Sequence, residues 1–172
     1  MFLINITQQE CSITMENENM NRFYLDNTSY SLSIERFYTK YMNQEMFKMT
    51  LYNSILEIDS IIFNGVYELC KFMMNLKFYI EFNNMEECLY NSPINNEGIS
   101  YQICIVYKYI PDNPAEEDDI LLLDILKSNS NKSECIFHIE SNEIIFDDLI
   151  MYIVNIINSY GYNLPTIIKE II

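Results

Sequence analysis

The chain has 172 residues, 49% of them hydrophobic and 14% aromatic, which supports one packed domain burying roughly 70% of its unfolded surface and excludes wholesale disorder. Its formal charge of -15, from 25 acidic and 10 basic residues, argues against direct binding to nucleic acid or to anionic membranes. The charge is uneven: 10 acidic against 6 basic residues lie in 1–85 and 15 against 4 in 86–172, giving -4 and -11 for the two parts.

In chain order, FLINIT (2–7) and CSITM (11–15) alternate as strands do. The opening MFLINITQQE lacks the positive region of a secretory signal. Residues 32–49 carry Ile34, Phe37, Tyr38, Tyr41, Met42 and Met46 at spacings that predict an amphipathic helix. The next segment fits two patterns. Leu51, Ile55, Ile58 and Ile62 make a helical stripe, whereas SILEIDSIIF also alternates; the helix is preferred. Asn64-Gly65 marks a break, and Val66, Leu69, Cys70, Met73 and Leu76 predict a short helix after it. KFYIEF (77–82) alternates and is expected to be a strand. ISYQICIVYKYI (99–110), rich in β-branched and aromatic residues, is the best strand of the chain, and Pro111 ends it.

NPAEEDDILLLDIL (113–126) predicts a helix: Asn113 as cap, Pro114 at the first helical position and Glu116 three residues after the cap. Four successive helical carboxylates fan out in steps of about 100°, so Glu116, Glu117, Asp118 and Asp119 cannot converge on one ion. In a first turn they complement the positive end of the helix dipole, and together they form a candidate docking site for a basic partner. The apolar block from Ile120 to Leu126, interrupted by Asp124, would then cover almost the whole circumference of that helix. CIFHIE (135–140) reads as a strand, Ser141-Asn142 as a turn and EIIF as its continuation or partner. Asp147 is a candidate cap for a helix over 148–160 closed by Gly161, and Pro165 begins a last apolar turn or two. The mixture predicts an α+β fold over 1–172: a single compact domain, more acidic from about residue 86, in which several helices pack on an antiparallel or mixed sheet.

Catalytic signatures do not emerge. Three glycines leave no phosphate-cradling loop or dinucleotide fingerprint. The five cysteines, Cys11, Cys70, Cys88, Cys104 and Cys135, are an odd set without repeated spacing, as expected of reduced, mostly buried thiols in a cytosol. His138 is the single histidine; three positions from Cys135 on one presumed strand, it should lie on the opposite face, with Glu140 on its own face. Glu57 and Asp59 would share a face if their segment were a strand. Glu140, Glu143, Asp147 and Asp148 crowd the expected hairpin and the next helix start without a neighbouring lysine.

These features point to a cytoplasmic, non-enzymatic interaction protein with no cofactor, catalytic residue or metal site. Glu116 to Asp119 would dock on a basic protein or ribonucleoprotein surface to regulate or inhibit it, as a ribosome-associated factor would. One alternative is an immunity-type or phage-encoded antagonist of a nucleic-acid-handling enzyme. Others are a small metal-dependent nuclease or hydrolase using Glu140, Glu143, Asp147 and Asp148 with His138 assisting, and a subunit of an obligate complex. The abundance of Ile, Asn and Tyr suits a low-GC genome.

Overall fold

The computed structural model describes residues 22–25, 29–82, 86–108 and 120–172. Their order is β1 (Arg22–Tyr24), β2 (Tyr30–Tyr38), β3 (Glu45–Asn53), β4 (Leu56–Phe63), α1 (Val66–Phe82), β5 (Glu86–Asn91), β6 (Ser100–Lys108), β7 (Ile120–Asn129), β8 (Lys132–Asn142), α2 (Glu143–Ser159) and α3 (Leu164–Ile171). Strands β1 to β4 form one four-stranded sheet in sequence order and β5 to β8 a second. Every pairing is antiparallel. The fold is α+β, as the sequence predicts, with two sheets in place of the one expected. Each sheet is followed by a 17-residue helix, so the chain runs twice through the same succession: a four-stranded meander, then a helix. No repeat is visible in the residues themselves.

The expected helix over 32–49 is instead the β2–β3 hairpin. Leu32 and Ile34 face inward opposite Leu51 and Met49. Tyr41 and Met42, which completed the helical stripe, sit at the turn, 100% and 76% exposed. Asn43, at φ 46°, supplies the left-handed residue of that turn. The segment 51–63 is likewise extended rather than helical. In the other direction, the strand expected at KFYIEF is the last part of α1. The buried positions Leu69, Phe72, Met73, Leu76 and Tyr79 keep helical spacing through it, leaving Phe78 and Phe82 exposed and ring-to-ring at 4.6 Å.

The helix expected over 114–126 is overturned where the structure describes it, since Ile120–Asn129 is β7. β7 lies between β6 and β8. Leu121, Leu123 and Ile125 point into the core, while Leu122, Asp124 and Leu126 lie on the other, partly covered face. A strand apolar on both faces loses its alternation and imitates a buried helix. Asn142, not Asp147, caps α2, its side chain accepting from Ile145 N–H at 3.2 Å; EIIF is therefore the first turn of α2 and not a strand. Gly161 closes α2 at φ +84° as expected, and Asn163 caps α3 through Thr166 N–H. The strands expected at FLINIT and CSITM lie outside the described residues.

One cluster of buried side chains joins everything. It takes Phe47, Met49, Leu51, Ile61 and Phe63 from the first sheet, and Ile103, Ile105, Leu123, Ile125 and Phe137 from the second. Tyr79 of α1 and Ile153 of α2 belong to the same cluster. The sheets touch directly: Tyr30 meets Phe137 edge-on at 5.0 Å, and Phe63 stacks on Tyr90 at 4.5 Å.

Helix α2 also closes a sheet edge. β1 covers only Ser31–Ser33 of β2, so among the described residues the later part of that edge has no strand neighbour. Tyr152 Oη accepts the Ile34 N–H at 3.1 Å and Tyr160 Oη the Arg36 N–H at 3.3 Å. Unpaired edge amides invite association with other chains, and two tyrosine hydroxyls satisfy them here. Tyr152→Phe leaves the Ile34 amide without its acceptor and is expected to cost about 1–3 kcal/mol. Urea unfolding measures this, and an unchanged midpoint would show that the hydroxyl contributes nothing.

Candidate functional site

The proposed docking residues Glu116, Glu117, Asp118 and Asp119 lie outside the described residues. What the structure does place is the carboxylate group that follows them in the chain. Glu140 stands near the end of β8, Glu143 in the first turn of α2, and Asp147 and Asp148 one turn later, both exposed. They follow one another around the β8–α2 corner. Among the described residues, no three His, Cys, Asp or Glu side chains gather into a set that could hold a metal ion. The four carboxylates are neighbours in sequence, not a donor set.

The histidine sits in a more organised setting than its sequence position suggests. Asp124 of β7 is the register partner of His138 on β8, and His138 Nδ1 lies 2.5 Å from Asp124 Oδ1. Nε2 of the same ring is 3.9 Å from Glu140. Cys135 is on this face too, its Sγ 3.9 Å from Asp124 Oδ1, against the expectation that it would face away from His138. The cause is a bulge: Phe137 pairs with Ile125 but Cys135 pairs with Leu126, so Ile136 is an extra residue that shifts the alternation by one. The Cys135 thiol is not primed as a nucleophile. Burial raises its pKa, and the neighbouring Asp124 adds to the effect. The group is a carboxylate-flanked imidazole on the outer, partly covered face of the second sheet.

A second polar group lies where the inner faces of the two sheets meet. Asp59 of β4 accepts from Lys127 Nζ at 2.7 Å, Tyr101 Oη at 2.9 Å and Ser60 N–H at 2.8 Å. Tyr101 and Lys127 are themselves register partners on β6 and β7, so a single carboxylate ties one sheet to two strands of the other. Glu57 does not join it. Glu57 pairs with Tyr52 and Asp59 with Leu51, so Ile58 is a bulge that sends the two carboxylates to opposite faces. The ion pair forms one end of an open cleft of about 470 Å³, walled by Met46, Ile62 and Ile99 and by Asn95 and Glu97 of the β5–β6 loop. Asn95 Oδ1 accepts from the Glu97 and Ile99 amides, both at 2.9 Å, which holds that loop in shape. Sequence reading singled out neither Lys127 nor Tyr101; the only available signal was a lysine inside an apolar strand.

Burial alone would raise the Asp59 carboxyl, but the hydrogen bonds from Lys127, Ser60 and Tyr101 outweigh it and hold its pKa below the ordinary value of 3.8. Its hydrogen bond to Asp59 is the main cause that raises the Lys127 pKa above 10.5. A depressed carboxylate contributes stability above its unfolded value and loses it as the pH falls through the folded one. A raised lysine loses its contribution as the pH climbs through its folded value. Asp59→Asn is therefore expected to cost about 2 kcal/mol at neutral pH. In urea titrations, the gap between native and variant should narrow below pH 4 and again above pH 10.5. A gap constant across pH would contradict the ion pair.

The sequence matches no protein-family model and no curated protein.

Proposed function

We propose that the chain is a non-enzymatic interaction protein whose acidic second part docks on a basic protein or ribonucleoprotein surface and regulates or inhibits it. The observation that carries this reading is the charge of -11 on residues 86–172. Internal pairing does little to offset that field: Lys127 is held by Asp59, and Lys132 pairs with Glu134 on β8. Asp147 and Asp148 point to solvent from α2, close in sequence to Glu140 and Glu143. Carboxylates spread over a surface attract a cationic protein over about one Debye length, roughly 8 Å at physiological salt, without converging on any one atom. A ribosome-associated factor is the first form of this reading, and an inhibitor of a nucleic-acid-handling enzyme the second. Both meet the same kind of basic surface, and the proposal places both roles in the cytoplasm.

Affinity capture on the immobilised chain tests it. Basic proteins should be recovered at about 50 mM salt and released at high salt, because screening shortens the reach of surface charges to roughly 3 Å at 1 M. Salt-insensitive capture, or capture of no cationic protein, would overturn the electrostatic reading. Two charge reversals locate the contact: Glu116→Lys with Glu117→Lys and Asp118→Lys, and separately Asp147→Lys with Asp148→Lys. At least one set is expected to weaken binding by tenfold or more while leaving the circular dichroism spectrum unchanged.

A further inference from the structure

We propose that Cys88 and Cys104 are a redox pair that closes a reversible disulfide between β5 and β6. The two residues are direct register partners on neighbouring antiparallel strands, so their side chains leave the sheet on the same face. Register partners have Cα atoms about 4.5–5.5 Å apart, inside the 4.4–6.8 Å span that a disulfide accepts. Both thiols are reduced and partly exposed, on the face turned away from the core, where Cys104 is next in register to Asp124.

The other described cysteines lack this geometry. Cys70 is buried in α1, and burial raises its thiol to about 11. Cys135 is exposed, but its register partner is Leu126. The pairing of Cys88 depends on a bulge: Cys88 faces Cys104 while Tyr90 faces Ile103, so Leu89 is an extra residue. Were Leu89 instead paired regularly with Cys104, the two thiols would not stand opposite one another.

In the reaction, both S–H bonds break and one S–S bond forms. The two electrons and, by way of solvent, the two protons go to hydrogen peroxide, which becomes two water molecules, or to a low-molecular-weight disulfide, which becomes two thiols. The product staples β5, the outer strand of its sheet, to β6 and closes the β5–β6 loop that walls the cleft beside Asp59. Reducing thiols reverse it. Oxidation therefore acts on the edge and the cleft together, leaving the core untouched.

Hydrogen peroxide on the folded full-length chain is the test, followed by alkylation of remaining thiols and digestion with a glutamate-specific protease, which cuts at Glu97 between the two cysteines. The expected product is a peptide pair linked through Cys88 and Cys104, lost on reduction, with Cys70 still alkylated after unfolding. The thermal midpoint of the oxidised chain should rise by roughly 5–10 °C, from closure of the loop, and Cys104→Ser should abolish both the linked peptide and the shift. If Cys88 and Cys104 both remain alkylatable after peroxide treatment, or if the main disulfide involves Cys11 or Cys135, the proposal is overturned. Cys88→Ser provides the same test from the other strand, should Cys104→Ser not fold.

Discussion

Neither four-stranded sheet can bury its inner face by itself, and that constraint organises the molecule. Each meander has an apolar face about as wide as four strands, while the helix that follows it covers only a stripe. The two sheets therefore meet in one cluster, with Tyr30 of one against Phe137 of the other. Helix α1 lies where the halves join. Its buried positions Val66, Leu69, Cys70, Phe72, Met73, Leu76 and Tyr79 span more than a single stripe, as they must in a helix packed against both halves.

The polar groups follow from the same meeting of sheets. Asp59 lies on the inward face at the rim of the contact, where an apolar side chain would be half wet and an isolated carboxylate half dry. Lys127 and Tyr101 of the opposite sheet resolve this by giving it donors. At the other flank, a sheet edge that β1 leaves uncovered is met by tyrosine hydroxyls from α2. Both are positional solutions: a group that could not be left unpaired at a boundary is paired by the element that creates the boundary.

With no charged side chain fully buried among the described residues, the excess negative charge has only the surface to occupy. It does so unevenly, because residues 86–172 carry -11 of the -15, while Lys127 and Lys132 of that part are drawn into ion pairs. The proposed function rests on this asymmetry, and it requires no shared donor geometry. Carboxylates that attract a basic surface act through a summed field, whereas a metal or a catalytic proton needs them within a few ångströms of one point.

Several elements could be read from the residues alone because a local rule decided them: β6 from its β-branched run, the start of α1 from its apolar spacing after Asn64-Gly65, the close of α2 at Gly161 and the last apolar turns begun at Pro165. The acidic excess and the α+β class were also legible, since neither depends on register. The hairpin at 32–53, the strand β7 and the helical end at Phe78–Phe82 were not. In each, the apolar pattern fits two periods, and only the neighbouring element selects one. The site residues show the limit most clearly. Single-residue bulges at Ile58, Leu89 and Ile136 decide that Glu57 leaves Asp59, that Cys88 meets Cys104 and that Cys135 joins His138. Sequence by itself determined the chemical inventory and the sign of the surface. Which side chains face one another was decided only by tertiary structure, because one extra residue in a strand reverses every face after it.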